Sequence, residues 1–251
     1  MEHYALPAEV FGAGLIFARV GAMLMLLPGV GETSVPPRIR LGVALAVSFV
    51  LYPMLRARLP AEPQGLDVLF GDVVIEILLG LALGGVIRLF LMCVDVTGEV
   101  IAIQTTLAFS QTANPTEAQP GSTVATFLSI VALALVFSTN LHQMFIAAIV
   151  RSFTLFAPGH PPPVGDVVQL AVRTTGDTFA LAIQLAAPIL VFSLVFNVAA
   201  GLIGRILPSF QIFFAAAPLA LLLGLSIFGL SIGMMGLIWI DRFRAFTDRL
   251  T

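Results

Sequence analysis

Three charged side chains in apolar surroundings have a spacing that places them on one face of a helix. Arg88, Asp95 and Glu99 are separated by seven and four residues, and at about 100° per residue they fall within about 20° of a single stripe. Because a charge that faces lipid is costly, this stripe should face other helices or water. Asp95 and Glu99 repel each other unless Arg88 or a cation of a partner lies nearby. Two interpretations remain open: an interhelical salt bridge that fixes assembly, or the lining of an aqueous path.

Other polar residues stand alone within apolar runs. Arg19, Glu76 and Arg205 are single charges that would pair across helices, although the sequence names no partner for them. His142 follows Asn140 in a similar setting. A proton relay would need several carboxylates or histidines on one face, so packing or hydrogen bonding is the favoured role for His142.

A polar break of 13 residues, 110–122, separates two apolar stretches. Pro115, Pro120 and Gly121 prevent it from continuing a helix. Two interpretations are again open: an exposed connecting loop, or a non-helical segment that lines a cavity, which is the only place where such backbone is tolerated at membrane depth.

The sequence carries no pattern of enzyme chemistry. It lacks the HExxH zinc motif, the G-x-S-x-G nucleophile elbow and the glycine pattern of dinucleotide-binding proteins. All twelve basic residues are arginines, and the absence of lysine excludes a Walker A nucleotide site and Schiff-base chemistry. Cys93 has no metal-ligand spacing around it. We therefore expect no enzyme activity, no cofactor, no metal and no nucleic-acid partner.

These polar residues are held by an unusually apolar chain. Of its 251 residues, 59% are hydrophobic and 10% are charged, where a soluble domain has about a quarter charged residues. Six apolar stretches are each long enough to cross a bilayer as a helix. They are Val10 to Leu27, Ile39 to Leu55, Val68 to Val94, Thr123 to Val150, Phe179 to Leu207 and Phe210 to Ile240. The fold class predicted is an all-α integral membrane protein.

Proline and glycine predict details of these helices. Pro188 and Pro218 lie inside the last two stretches, where each would kink a helix or divide it into halves, which favours long kinked helical hairpins. Glycine pairs four residues apart allow close helix packing. These pairs are Gly80 with Gly84 and Gly229 with Gly233.

The arginines also bear on orientation. Three of them lie in the C-terminal tail after residue 240, which predicts a cytoplasmic tail. The second stretch has arginines on both sides, at Arg38 and Arg40 before it and at Arg56 and Arg58 after it. A simple spanning helix does not explain this, so some stretches are expected not to cross the bilayer in the usual alternation.

Four groups of residues follow one another in a characteristic order along nearly the whole chain. They are Phe17 to Gly21 with Pro28 and Val35 to Arg40; Gly98 to Gln104 with Leu107, Phe109, Asn114, Pro115 and Pro120; Asn140 to His142 with Ser152, Phe153, Pro158 and Gly159; and Gly204 to Pro208 with Gln211 to Phe213, Pro218 and Leu219. Each group alone is a weak signal. In this order and spacing they resemble the FliR family of flagellar type III export-gate proteins, which is homologous to the injectisome SctT family.

The resemblance implies a non-enzymatic subunit of a hetero-oligomeric export gate in the bacterial inner membrane, at the flagellar basal body. It implies one copy of this chain with FliP-, FliQ- and FlhB-type partners and with unfolded exported proteins as substrates. One export-gate domain would cover residues 1–251, with a FliP-like part at about 1–178 fused to a FliQ-like hairpin and tail at 179–251.

The sequence patterns and the family resemblance together predict two sets of functional residues. The segment that matches the family's plug in the closed pore carries Phe109, Ser110, Gln111, Asn114, Pro115, Pro120 and Gly121. The expected interhelical or assembly contacts involve Arg19, Glu76, Arg88, Asp95, Glu99, Gln104, Asn140, His142 and Arg205. Use in an injectisome rather than a flagellum is one alternative. A secondary solute transporter with broken helices at Pro188 and Pro218 is another, from a different class.

Overall fold

The structure, a computed structural model, describes residues 7–32, 34–60, 65–105, 122–206 and 212–250, and in these ranges the chain forms helices joined by turns and irregular segments, with no strands. The elements are α1 (Pro7–Leu24), α2 (Pro37–Leu55), a 3-10 turn (Arg56–Arg58), α3 (Leu66–Gln104), α4 (Thr123–Ser138), α5 (His142–Leu155), α6 (Val164–Ile206) and α7 (Ile212–Leu250). The prediction of an all-α integral membrane protein is confirmed. In the described ranges, α1, α2, α3, α6 and α7 are each long and apolar enough to cross a membrane, and α4 with α5 would make a sixth span.

Two compact units divide the chain. Unit 1 comprises residues 1–90, 140–175 and 246–251, and unit 2 comprises residues 91–139 and 176–245. The core of unit 1 includes Leu15, Ile16, Val20, Leu79 and Phe153, and the core of unit 2 includes Cys93, Ile101, Ala182, Ile189 and Phe243. The helices α3, α6 and α7 each supply residues to both units. The predicted division into FliP-like and FliQ-like parts after residue 178 stays a prediction.

The first two helices pack on each other, and hydrogen bonds hold the link that connects them. Pro37 begins α2, where its fixed φ suits the first helical turn and its missing N–H is not needed. Arg40 fixes the link, because its guanidinium donates to the carbonyl oxygens of Val35 at 3.0 Å and Glu32 at 2.6 Å.

Close packing of α1 on α3 depends on glycine. A Cβ at Gly80 would lie 2.5 Å from the carbonyl oxygen of Arg19, and one at Gly84 would lie 3.0 Å from that of Met23. The prediction for this pair is therefore confirmed. For Gly229 and Gly233 it stays a prediction, since a Cβ at either position would meet nothing within 4 Å in the described part of the chain.

The fourth apolar stretch was predicted to be one helix and is two. The first helix, α4, ends at Ser138, and α5 begins at His142. Asn140 lies between them with a φ of +59°, in the left-handed region that asparagine tolerates better than most residues. The helix therefore ends at a turn that no proline or glycine in the sequence indicates.

The two internal prolines do not divide their helices. Pro188 lies inside α6, and Pro218 lies inside α7. Of the two predicted effects, a kink or a division into halves, the division does not occur, since membrane helices tolerate proline when nearby groups satisfy the freed backbone. The kinks at Pro188 and Pro218 stay predictions. Both helices are also longer than predicted. For α6, the N-terminal residues 164–178 include Asp166, Arg173 and Asp177, whose charges concealed the helix from a search for apolar stretches.

Candidate functional site

Arg19 and Glu76 form a buried ion pair in unit 1. Arg19 lies on α1 and Glu76 on α3, and the guanidinium donates to the carboxylate through Nε at 2.5 Å and through Nη2 at 3.0 Å. Neither side chain is exposed to any extent, at 0% for both. A buried pair of charges stabilises a fold only when its remaining donors and acceptors are also satisfied, because both ions have lost their water.

The remaining groups of this pair are satisfied by the end of α5 and the loop after it. The Nη1 atom of Arg19 donates to the carbonyl oxygens of Ser152 and Phe156, each at 2.9 Å. The guanidinium also lies 4.2 Å from the centroid of the Phe153 ring. On the acid side, the N–H of Gly159 donates to Glu76 Oε1 at 3.0 Å. The pair therefore ties α1, α3 and α5 together.

The local sequence prepares these contacts. Gly159 has a φ of +79°, which a residue with a side chain rarely adopts, so this glycine lets the chain turn its N–H toward Glu76. Both charges were predicted to pair across helices, and the structure pairs them with each other. Their mutual pairing was not predictable, because 57 residues separate them and no local pattern connects them.

A second polar cluster joins α3 to α4 in unit 2. Ser122 is the N-cap residue of α4, and its backbone N–H donates to Glu99 Oε1 at 2.5 Å. Its hydroxyl donates to the carbonyl oxygen of Gly98 and accepts the N–H of Ala125 at 3.1 Å. The hydroxyl of Ser129 donates to Asp95 Oδ1. As α3 advances from Asp95 to Glu99, the partner on α4 moves back from Ser129 to Ser122, so the two helices run antiparallel.

The two backbones come close at this cluster. A Cβ at Gly98 would lie 2.6 Å from the backbone nitrogen of Ala125, so only glycine fits without displacing α4. Sequence reasoning missed Ser122 and Ser129. The available signal was their spacing of seven residues, which places them on one helix face, together with the preference of serine for the N-cap.

The described residues contain no salt bridge from the charged stripe, and its two interpretations, an interhelical salt bridge that fixes assembly or the lining of an aqueous path, stay predictions. Arg88 is exposed and takes part in no ion pair in the described part of the chain. Asp95 and Glu99 instead accept hydrogen bonds from α4. The partial positive charge at the start of α4 stabilises Glu99 in place of an arginine.

A third contact fastens the end of α3 to α6 within unit 2. Ser193 donates to Gln104 Oε1 at 2.7 Å, and Asn197 Nδ2 donates to the hydroxyl oxygen of Ser193 at 3.2 Å. Thr97, two turns earlier on α3, donates to the carbonyl oxygen of Ala182 at 3.3 Å. Gln104 was predicted to make an interhelical contact, and the structure gives it Ser193 on α6 as a partner; Ser193 and Asn197 themselves were not foreseen.

None of these clusters holds catalytic or metal-binding geometry. In the described part of the chain, no group of three or more histidine, cysteine, aspartate or glutamate side chains is placed to hold a metal ion. The polar groups that meet are paired charges and satisfied hydrogen bonds between helices. Such contacts fix the positions of helices relative to one another within each unit.

Residues 10–246 match the family described as "Bacterial export proteins, family 1". The flagellar biosynthetic protein FliR of Caulobacter vibrioides is 47% identical over 251 residues, which cover all of both chains. The chain belongs to the FliR family. The FliR protein of Escherichia coli K12 is 29% identical over 211 residues, 83% of this chain and 79% of that one, and the FliR protein of Aquifex aeolicus is 24% identical over 238 residues, 92% and 89% of the two chains.

Membership of the FliR family confirms the predicted resemblance and its coarse function. The chain is a membrane component of flagellar export. The family is a structural export component rather than a known family of enzymes. The three relatives carry a flagellar name, so the comparisons do not favour the injectisome alternative, and they give no support to a solute transporter.

The other predicted residues of this FliR-family chain have different outcomes. Arg205 lies exposed in the last turn of α6 and forms no ion pair among the described residues, so its predicted interhelical or assembly contact stays a prediction. Its charge suits the negative end of the helix dipole. His142 is half-buried in the first turn of α5, next to the turn at Asn140.

The residues predicted to form the plug are not among those that the structure describes. Phe109, Ser110, Gln111, Asn114, Pro115, Pro120 and Gly121 lie outside the described residues. The described chain ends at Thr105 on one side of them and resumes at Ser122 on the other.

Proposed function

We propose that this chain is one subunit of the flagellar type III export gate. It assembles as one copy with FliP-, FliQ- and FlhB-type subunits in the bacterial inner membrane, with its C-terminal tail in the cytoplasm. Unfolded exported proteins pass through a conduit that lies between this chain and its partners. The segment from Phe109 to Ser122 obstructs that conduit until export begins.

The observation that carries the proposal is the length over which α6 exposes apolar side chains. This helix has 43 residues, or about 64 Å at 1.5 Å per residue. Val164 at its start is 67% exposed and Ile206 at its end is 77% exposed, with large apolar residues exposed between them. A bilayer core of about 30 Å covers less than half of this length. Other protein subunits are the natural cover for the rest.

Exposed charged side chains on α3 also support the proposal. Arg88 and Asp95 are exposed on α3, a helix of 39 residues whose neighbouring side chains are mostly apolar. A charge in such surroundings is costly when lipid covers it. Contact with partner subunits or with the water of a conduit removes this cost.

The proposal is tested by expressing the tagged chain with and without FliP- and FliQ-type partners from the same bacterium. We expect a complex of defined mass with the partners, and aggregation or degradation of the chain alone after extraction in mild detergent. A chain that is stable and monodisperse alone, and that captures no partner, would contradict the proposal.

A further inference from the structure

The helix α2 has an exposed apolar face with an arginine at each end. We propose that phospholipid binds this face: acyl chains cover its apolar middle, and lipid phosphates on the two sides of the bilayer bind Arg38 at one end and Arg56 at the other. Such a surface requires a membrane chain but no particular partner subunit, and it therefore goes beyond the proposed function.

Only one side of α2 is used for packing within unit 1. Its buried residues are Ala44, Ser48, Leu51 and Leu55, which recur every three or four residues and so lie on one side of the helix. This side faces α1, since a Cβ at Gly21 of α1 would lie 4.0 Å from the Cβ of Ala44. The opposite side is left uncovered by the described part of the chain.

The uncovered side is apolar along the helix. Leu45 is 51% exposed, Phe49 is 82% exposed and Met54 is 66% exposed. A Cβ at Gly42, one turn before Leu45, would meet nothing within 4 Å among the described residues. A single exposed apolar side chain is ordinary, whereas a continuous apolar row of this length indicates a contact with lipid or with another protein.

Arg38 and Arg56 mark the two ends of this row. They are 18 residues apart, which is about five full turns, so both lie on one line along the helix, within about 20° of Leu45 and Phe49. The rise between them is about 27 Å at 1.5 Å per residue, close to the thickness of about 30 Å of the hydrocarbon core of a bilayer. The spacing of the two guanidinium groups therefore fits the two phosphate layers of a membrane.

The cations at both ends can bind phosphate. Arg38 is exposed and forms no ion pair among the described residues. Arg56 lies 3.8 Å from Glu9 of α1, but the two side chains are 69% and 39% exposed, and exposed pairs of this kind contribute little. Arg58 adds another exposed cation at the same end. The planar guanidinium group suits the oxygens of a phosphate.

Phospholipid fits this pattern more simply than another subunit does. Every bilayer presents phosphate on both sides of its hydrocarbon core, whereas a partner helix would need an acidic residue at each end with the same spacing. Arginines near the ends of a membrane helix also extend toward the headgroups. Binding in both phosphate layers accounts for the arginines on both sides of the second apolar stretch, which orientation by positive charge alone does not explain.

The first test asks what contacts the middle of the face. The photoreactive residue p-benzoylphenylalanine replaces Phe49 in the complete gate, which is expressed with its FliP- and FliQ-type partners. Membranes are illuminated, and the mass of the intact chain is measured. We expect the chain to gain the mass of one phospholipid and to form no link to a protein. The same residue at Leu194, which is 66% exposed on α6, is the matched control, and the proposed function predicts a link to a subunit there.

The outcomes at these two positions separate the lipid face from the proposed function. A link from Phe49 to a partner subunit or to a second copy of this chain would overturn the lipid face, and so would the absence of any adduct at Phe49 when Leu194 reacts. Lipid adducts at both positions would support the lipid face and remove the support for the proposed function.

The second test measures the contribution of the arginines. The purified gate is stripped of lipid in mild detergent, phosphatidylglycerol is added, and native mass spectrometry counts the bound molecules per complex. We expect Arg38→Gln and Arg56→Gln each to weaken binding about threefold, less than the full effect of a charged hydrogen bond because both arginines are exposed. Arg151→Gln is the matched control, since Arg151 is exposed on α5 and lies outside α2, and it should bind as wild type does. A loss with only one of the two variants, or with neither, would overturn binding at both ends of α2.

Discussion

The guanidinium of Arg19 on α1 meets the carboxylate of Glu76 on α3 at 2.5 Å and 3.0 Å, with both side chains fully buried. The same guanidinium reaches two carbonyl oxygens at the end of α5. Three helices of unit 1 therefore meet at one pair of charges. Because neither ion contacts water, each is tolerated only in the presence of the other.

Replacing one member of this pair should prevent unit 1 from folding stably. Removal of one partner from a buried ion pair costs about 3–5 kcal/mol, so Arg19→Met and Glu76→Gln should each lower the amount of assembled gate several-fold and reduce swimming. The double variant Arg19→Met with Glu76→Met should recover part of the loss, since it leaves no unpaired charge. Quantified complex in membranes and motility in soft agar measure both effects. Recovery of the wild-type amount by either single variant would contradict this account.

Gly80 should tolerate no side chain. A Cβ there would meet the carbonyl oxygen of Arg19 at 2.5 Å, and overpacking of this kind costs about 1–3 kcal/mol. Gly80→Ala should lower the melting temperature of the purified gate. Gly71→Ala is the matched control on the same helix, because a Cβ at Gly71 meets nothing within 4 Å. Equal melting temperatures for the two variants would show that α1 and α3 are not packed as described.

Asn140 should accept glycine but not valine. Its φ of +59° costs a β-branched residue about 1–2 kcal/mol, whereas glycine adopts that angle freely. Asn140→Val should therefore reduce thermal stability of the assembled gate, and Asn140→Gly should leave it near wild type. A helix that simply continued from α4 into α5 would give the opposite order, because valine is the better helix former of the two.

Gly229 and Gly233 should contact another subunit. They are four residues apart on α7, and a Cβ at either one would meet nothing within 4 Å among the described residues, although such pairs usually serve close helix packing. Gly229→Leu should leave the amount of this chain in membranes unchanged before purification and reduce the co-purified partners at least several-fold. Unchanged co-purification with Gly229→Leu would place this face against lipid instead.

The sequence predicted the helices of this protein better than it predicted their ends or their contacts. Apolar stretches identified most of the helices, but α6 begins 15 residues before the predicted Phe179, at Val164, because its first turns carry charges. The pattern of Gly80 with Gly84 correctly indicated close packing, since helix periodicity alone places both glycines on one face. The turn at Asn140 escaped notice, because no proline or glycine lies near it in the sequence.

The contacts of single charges depended on tertiary structure. Arg19 and Glu76 were recognised as needing partners, yet nothing local could connect residues on two distant helices. Asp95 and Glu99 were assigned to a stripe correctly, but their partners are a hydroxyl and a backbone N–H on α4. Charge patterns reveal only charged partners, so a contact with the N-terminus of a helix was missed.

The most direct test asks whether the conduit lies between this chain and its partners and is obstructed by the segment after α3. Spheroplasts that express the chain lacking residues 111–119 are placed in isosmotic potassium chloride, with and without the FliP- and FliQ-type partners. The account predicts rapid swelling only when the partners are present, and none with the full-length chain. A tight membrane in the presence of partners, or equal swelling without them, would contradict it.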